Sequence, residues 1–128
     1  MDFSNIRFDD SGPIYLQVVR FFKKKILLGE LKHGDELPSR RILSAALGLN
    51  LTTIQKIYKQ MEDEKLIDTL PNSKTTVCLT DEKLKEIERE LIHSEIKKFT
   101  DELKSCNVKK VEALVLVDRI WEEGNTDL

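Results

Sequence analysis

A chain of 128 residues with 40% hydrophobic content has room for one compact domain, or for a small domain joined to an oligomerisation element. Its 21 Lys+Arg stand against 23 Asp+Glu, a formal net charge of -2, so bulk charge alone does not mark a nucleic-acid binder. No apolar run approaches the ~20 residues of a membrane span, and the start MDFSNIRFDDSG lacks the basic-then-apolar order of a secretory signal. The two cysteines, Cys78 and Cys106, form no CxxC and read as reduced thiols, so a cytoplasmic protein without membrane contact is expected.

The charge is unevenly spread. Residues 1–80 hold 12 Lys+Arg and 10 Asp+Glu, whereas residues 81–128 hold 9 and 13. No acidic residue occurs from Leu37 to Met61. The acidity therefore belongs mainly to the C-terminal part, and the N-terminal part keeps a carboxylate-free window open to an anionic partner.

In chain order, residues 1–13 look irregular. After Gly12-Pro13, the apolar residues Tyr15, Val18, Val19, Phe22 and Ile26 follow helical spacing, interrupted by Lys23-Lys24-Lys25 and ended by Gly29. Residues 31–37 form a turn-rich link with room for a short strand. Ser39 is a good N-cap for a second helix, whose inward face is Leu43, Ala46 and Leu47 and whose stop is Gly48. After the Leu49-Asn50 turn, Thr52 or Thr53 opens a third helix with Ile54, Ile57, Tyr58 and Met61 at buried spacing. Leu66-Ile67 and Thr75 to Leu79 read as two short strands joined by Leu70-Pro71-Asn72-Ser73-Lys74. Helix, helix, tight turn, helix and β-hairpin make a winged helix-turn-helix over residues 11–79.

Residues 80–128 read as a separate helical dimerisation or regulatory segment. Thr80 caps a long helix carrying Leu84, Ile87, Leu91, Ile92, Ile96, Phe99 and Leu103. Ser105-Cys106-Asn107 breaks it. Val108, Val111, Leu114, Val115, Val117 and Trp121 then form a last helix ended near Gly124. Two helices alone make a poor core, so a twin copy is the economical way to bury their stripes. The expected homodimer interface is Leu84, Ile87, Leu91, Ile96, Phe99, Leu103, Val111, Leu114, Val115 and Trp121. The fold class is thus mainly α.

Enzyme chemistry finds no support. There is no GxSxG, phosphate loop or HExxH, and His33 and His93 have no second ligand at metal spacing. No catalytic residue, metal or cofactor is expected. Asp9-Asp10 and Glu62-Asp63-Glu64 read as solvated charge runs. The third helix, by contrast, offers Asn50, Thr52, Thr53, Gln55, Lys56 and Lys59 before its first acid, Glu62. Thr52, Gln55, Lys56 and Lys59 share one side and Ile54, Ile57 and Met61 the other, which divides the helix into a groove face and a core face. A helix entering the major groove needs short polar and basic side chains there. Gln55 can pair bidentately with adenine, and Lys56 can reach guanine or phosphate. Thr52 and Thr53 suit phosphate near the helix start, and Lys59 suits phosphate further along.

The stretch PIYLQVVRFFKKKILLGELKHGDELPSRRILSAALGLNLTTIQKIYKQMEDEKLI resembles the DNA-binding domain of the GntR family of bacterial transcription regulators. The agreement lies at Pro13-Ile14-Tyr15, Gly29-Glu30-Leu31-Lys32, Gly34-Asp35, Leu37-Pro38-Ser39, Arg41, Leu43, Leu47-Gly48, Thr52-Thr53 and Leu66-Ile67. The short two-helix tail resembles the YtrA subfamily, whose tail serves dimerisation. The resemblance implies a repressor that reads an inverted-repeat operator in double-stranded DNA as a homodimer, with a small-molecule effector at the dimer seam or none. It also implies backbone and base-edge contacts from Ser39 and Arg41; Arg40 is expected to contact DNA beside them, although it stands where the family often has an acid or a variable residue. The wing tip departs from the family's basic and glycine pattern. Asn72 there can tolerate a left-handed backbone, and Lys74 retains one charge. The alternative is a winged-helix module for protein contacts without sequence-specific DNA binding.

Overall fold

The computed structural model describes residues 2–72 and 74–124. Along the chain run α1 (Ile14–Leu27), α2 (Arg40–Leu47), α3 (Leu51–Asp63), β1 (Ile67–Thr69), β2 (Thr75–Val77), α4 (Asp81–Ser105) and α5 (Lys110–Glu123). The order is that of a winged helix-turn-helix followed by two helices. The chain divides into two compact units, one up to residue 89 and one from residue 90, with the division inside α4.

The first unit is organised around α3, which packs against α1, α2 and β1. Its apolar positions recur at three- and four-residue spacing, and Ile54, Ile57, Tyr58 and Met61 are all buried. The same spacing on α1 buries Val18, Val19, Phe22 and Ile26. α1 ends where Gly29 takes φ 74°, letting its own N–H reach Ile26 O and the Glu30 N–H reach Lys25 O. α2 starts on Ser39, whose side chain accepts from the Ile42 N–H at 3.2 Å. It stops at Gly48, at φ 67°, a conformation that costs a residue with a Cβ.

Several expectations need correcting. α3 begins at Leu51, not Thr52 or Thr53, because Asn50 is the cap and its Oδ1 accepts from the Thr53 N–H at 2.9 Å. On α2, Leu43 is buried and Leu47 half-buried, but Ala46 is exposed. Leu66 precedes β1, and Cys78 and Leu79 follow β2. Glu62-Asp63-Glu64 is not a uniformly solvated run. Glu64 is half-buried and pairs at 2.6 Å with Lys23, which α1 carries into the core. A lysine at a core position needs such a partner, since an unpaired buried charge costs several kcal/mol.

The hairpin pairs antiparallel as Ile67 with Val77, Asp68 with Thr76 and Thr69 with Thr75. The room for a strand in residues 31–37 is filled by a single bridge, Glu36 with Thr76. The Leu37 N–H donates to Thr75 O and the Val77 N–H to Asp35 O, each at 2.8 Å, so β2 is paired on both edges. Ser73 of the wing tip lies outside the described residues. Asn72 shapes the tip through its side chain, Oδ1 accepting from the Lys74 N–H at 3.2 Å. Positive φ outside glycine is taken, among the described residues, by Lys65 and Asn107.

The N-terminal segment is irregular yet fastened. Phe3 meets Phe21 and Phe22 of α1 at ring distances of 5.9 and 6.0 Å, and Gln17 bonds the Asp9 N–H and the Asp9 and Gly12 carbonyls. His33 is structural, its Nδ1 accepting from the Leu79 N–H at 2.9 Å. Thr80 Oγ1 caps α4 through the Lys83 N–H, and Ile87 is buried at 2% exposure. The compact first unit therefore reaches beyond residue 79.

In the second unit α4 ends at Ser105 and the chain turns on Asn107, at φ 61°. Val108 stays outside α5, which begins after Lys109. No side chain of α5 is buried. No helix among the described residues is long and apolar enough to cross a membrane.

Candidate nucleic-acid interface

The side chains of α3 opposite the core point to solvent. Thr52, Gln55, Lys56 and Lys59 are exposed and Thr53 is half-buried. Lys59 makes an exposed pair with Asp63 at 3.4 Å, which a phosphate can replace at little cost. Lys56 Nζ lies 5.9 Å from the Tyr15 ring centroid, so α1 offers its ammonium a cation–π contact while the residue stays exposed. Gln55 is exposed on the same side, as a base-reading amide must be. Asn50 spends its carbonyl oxygen on the cap, which leaves its amide hydrogens as the part able to donate outward.

A second feature brings the start of α2 and the wing together. Ser39, Arg40, Arg41 and Lys74 line one open cleft of about 260 Å³, with Glu36, Pro38, Tyr58 and Thr75. Arg41 is exposed, and Lys74 lies 4.0 Å from Glu36 across the cleft. Ser39 accepts through its oxygen at the cap and keeps its hydroxyl proton for an acceptor outside. Three of these positions are adjacent in sequence, so their grouping was readable. Lys74 joins them only because β2 pairs back onto residues 35–37.

Arg40 is differently placed. Its guanidinium sits 4.6 Å from the Tyr58 ring centroid and 3.9 Å from Glu62 Oε1. The Tyr58 hydroxyl donates to the Pro38 carbonyl. Burial pushes the Tyr58 hydroxyl up to about 12, the charge of Arg40 acting in the opposite direction, so the phenol remains a donor at neutral pH. Sequence reasoning missed Tyr58 as a brace and Glu62 as a partner. The placement of Tyr58 four residues before Glu62 was the available signal, because such positions share a helix face.

Residues 14–77 match the family described as bacterial regulatory proteins, gntR family. The chain belongs to that family. Its members are DNA-binding transcription regulators, a non-enzymatic class, and this chain is one. It is 34% identical to the HTH-type transcriptional repressor YtrA of Bacillus subtilis, over 73% of this chain and 89% of that protein. A GntR family transcriptional regulator from Listeria monocytogenes superposes with a TM-score of 0.75 at 28% identity, covering 88% of this chain and 98% of that one. YtrA from Sulfolobus acidocaldarius, a GntR-family transcription factor, gives a TM-score of 0.53 at 31% identity over 94% and 99% of the two chains. The match to YtrA-type regulators runs past the winged domain into the short helical tail. The family and YtrA-like resemblance read from the sequence therefore holds.

Proposed function

We propose that this GntR regulator is a cytoplasmic repressor that binds an inverted-repeat operator as a homodimer, with α3 of each protomer in the major groove. The observation that carries this reading is the division of α3. One face is fully buried, and the other presents Thr52, Gln55, Lys56 and Lys59 with no carboxylate before Glu62. Gln55 reads a base edge, Lys56 a guanine or phosphate, and Thr52, Thr53 and Lys59 hold phosphates. Asn50, Ser39, Arg41 and Lys74 fix the register through the backbone on either side. Repression is suggested by the name of the Bacillus subtilis relative, a transcriptional repressor.

The dimer reading rests on exposed apolar surface. Ile96, Phe99, Val111, Leu114, Val115 and Trp121 are all exposed, Trp121 by 74%, and Leu103 is half-buried. Surface of this kind on a chain of this size marks an interaction site. Ile87 and Leu91 are buried within one protomer and Leu84 is half-buried, so the free part of the seam is the later turns of α4 together with α5. Any effector would sit at that seam.

Selection of duplexes from a random pool, followed by footprinting, tests the reading. The expected result is a two-fold symmetric site with half-sites about one helical turn apart, ~34 Å. Gln55→Ala should relax preference at one base position of each half-site, by about tenfold, and leave random-sequence affinity nearly intact. Uniform weakening over all sequences removes the base-reading role. A chain that selects no duplex and binds proteins instead supports the interaction-module alternative.

A further inference from the structure

We infer that Glu62 and Arg40 are a positioning pair that fixes α2 and the wing against α3, and that Arg40 acts through this pair rather than by touching DNA. The inference rests on the placement of α3 in the groove and adds what holds the flanking elements at the right angle to it. Glu62 Oε1 is shared by two other elements of the reading head. Arg40 Nη2, at the first residue of α2, lies 3.9 Å away, and Thr69 Oγ1, on β1 of the wing, donates to it at 3.2 Å. The Arg40 guanidinium is stacked 4.6 Å from the Tyr58 ring, and the Tyr58 hydroxyl donates to Pro38, two residues ahead of Arg40. Three elements thus converge on one carboxylate.

The arrangement accounts for two oddities of the sequence. Glu62 is the first acid after the carboxylate-free window, and a carboxylate at the end of a groove helix repels every duplex alike. Its hydrogen bond from Thr69 and its ion pair with Arg40 give it a reason to be there. Arg40 departs from the family pattern, and a guanidinium stacked on a ring and aimed at a carboxylate is not presented to phosphate as a free fork. Arg40 also lines the cleft that holds Ser39, Arg41 and Lys74, and these same braced elements bound it. A small change in their angle to α3 would pull those cations off their phosphates, while random-sequence contacts can re-form in other registers.

The test uses the full chain, a duplex recovered from the random pool and a random-sequence duplex of equal length. Glu62→Gln removes the charge but keeps an oxygen for Thr69. Thr69→Val removes the hydrogen bond without changing any charge. Glu62→Gln should raise random-sequence affinity about twofold to threefold by loss of repulsion, yet lower the preference for the selected duplex about tenfold. Thr69→Val should lower that preference about threefold with random-sequence affinity unchanged. A merely repulsive surface carboxylate predicts equal gains on both duplexes for Glu62→Gln and no effect of Thr69→Val, and that pattern overturns the proposal. Arg40→Gln should leave the log–log salt slope near the wild-type value, where Arg41→Gln lowers it by about one. An Arg40→Gln slope lowered as much makes Arg40 a phosphate contact and ends its positioning role. A DNA-free measurement separates this from failure of the groove reading. Proton NMR of the free chain should show the Arg40 side chain shifted upfield by the Tyr58 ring, with the shift reduced in Glu62→Gln. An Arg40 unshifted in the wild type refutes the pair whether or not any duplex is selected.

Discussion

α3 and α5 are similar in length, yet they are treated oppositely. α3 hides Ile54, Ile57, Tyr58 and Met61 at 1% exposure or less, whereas α5 buries nothing and leaves Val111, Leu114, Val115, Ile120 and Trp121 exposed. The first unit therefore supplies its own core, with α1, α2 and β1 around α3. α5 finds no such cover in one chain. Each large apolar side chain fully buried contributes about 1.5–3 kcal/mol, so a helix that exposes seven of them, Leu116 and Val117 included, has much to gain from a second copy. The contrast supports the proposed division of labour, in which the head folds on its own packing and turns its outer face to DNA while the tail keeps its apolar surface for assembly.

The sharpest way to break this contrast is to charge the tail. Leu114→Glu should make the protein monomeric and lower selected-operator affinity by about a hundredfold or more, since both half-sites must be held at once. Helical content by circular dichroism should change little, because Leu114 is exposed within the protomer. The corresponding attack on the head is Glu64→Ala, which takes from the buried Lys23 its carboxylate partner at 2.6 Å. It should cost about 3 kcal/mol in urea unfolding and leave the dimer of the folded protein intact. Replacing the pair together, Lys23→Met with Glu64→Leu, should recover most of that loss.

A smaller effect probes where the head ends. A chain stopped at residue 80 should be less stable than one stopped at residue 89 by about 1.5–3 kcal/mol, because the shorter chain lacks the buried Ile87. Equal stabilities would place Ile87 with the tail instead.

The smallest effect concerns Tyr58. Tyr58→Phe should cost about 1 kcal/mol at neutral pH through loss of the bond to Pro38. Its hydroxyl is pushed up from an ordinary 10 to about 12, so the folded state holds the phenolic proton more tightly than the unfolded chain does. That contribution is fully present below pH 10 and is lost as pH rises through about 12. The gap between wild type and Tyr58→Phe should therefore narrow over that interval in denaturant unfolding, where a constant gap would contradict the assignment.

Much of the head was legible because its signals are local. Helical spacing located the buried residues of α1 and α3, Ser39 and Gly48 bounded α2, and Thr80 marked the start of α4. What escaped was non-local. Asn50 caps α3 because the turn presents its oxygen to Thr53, a choice among three neighbouring polar residues that spacing cannot settle. Lys23 reads as an interruption of α1 until Glu64, forty-one residues on, is brought beside it. Ala46 obeys the spacing of an inward face yet is exposed, because the eight residues of α2 give it only a short contact with α3. The candidate DNA face was legible from the missing carboxylates, but the distinct place of Arg40 depends on Tyr58 and Glu62 one helix away.

In the proposed reading the tail supplies a dimer and the dimer supplies operator binding. Sedimentation velocity of the full chain at micromolar concentration, alone and with the selected duplex, tests it most directly. The expected result is a species of twice the chain mass in the absence of DNA and the same two chains on one duplex. A monomer in both conditions, bound to DNA one chain per duplex, would contradict it.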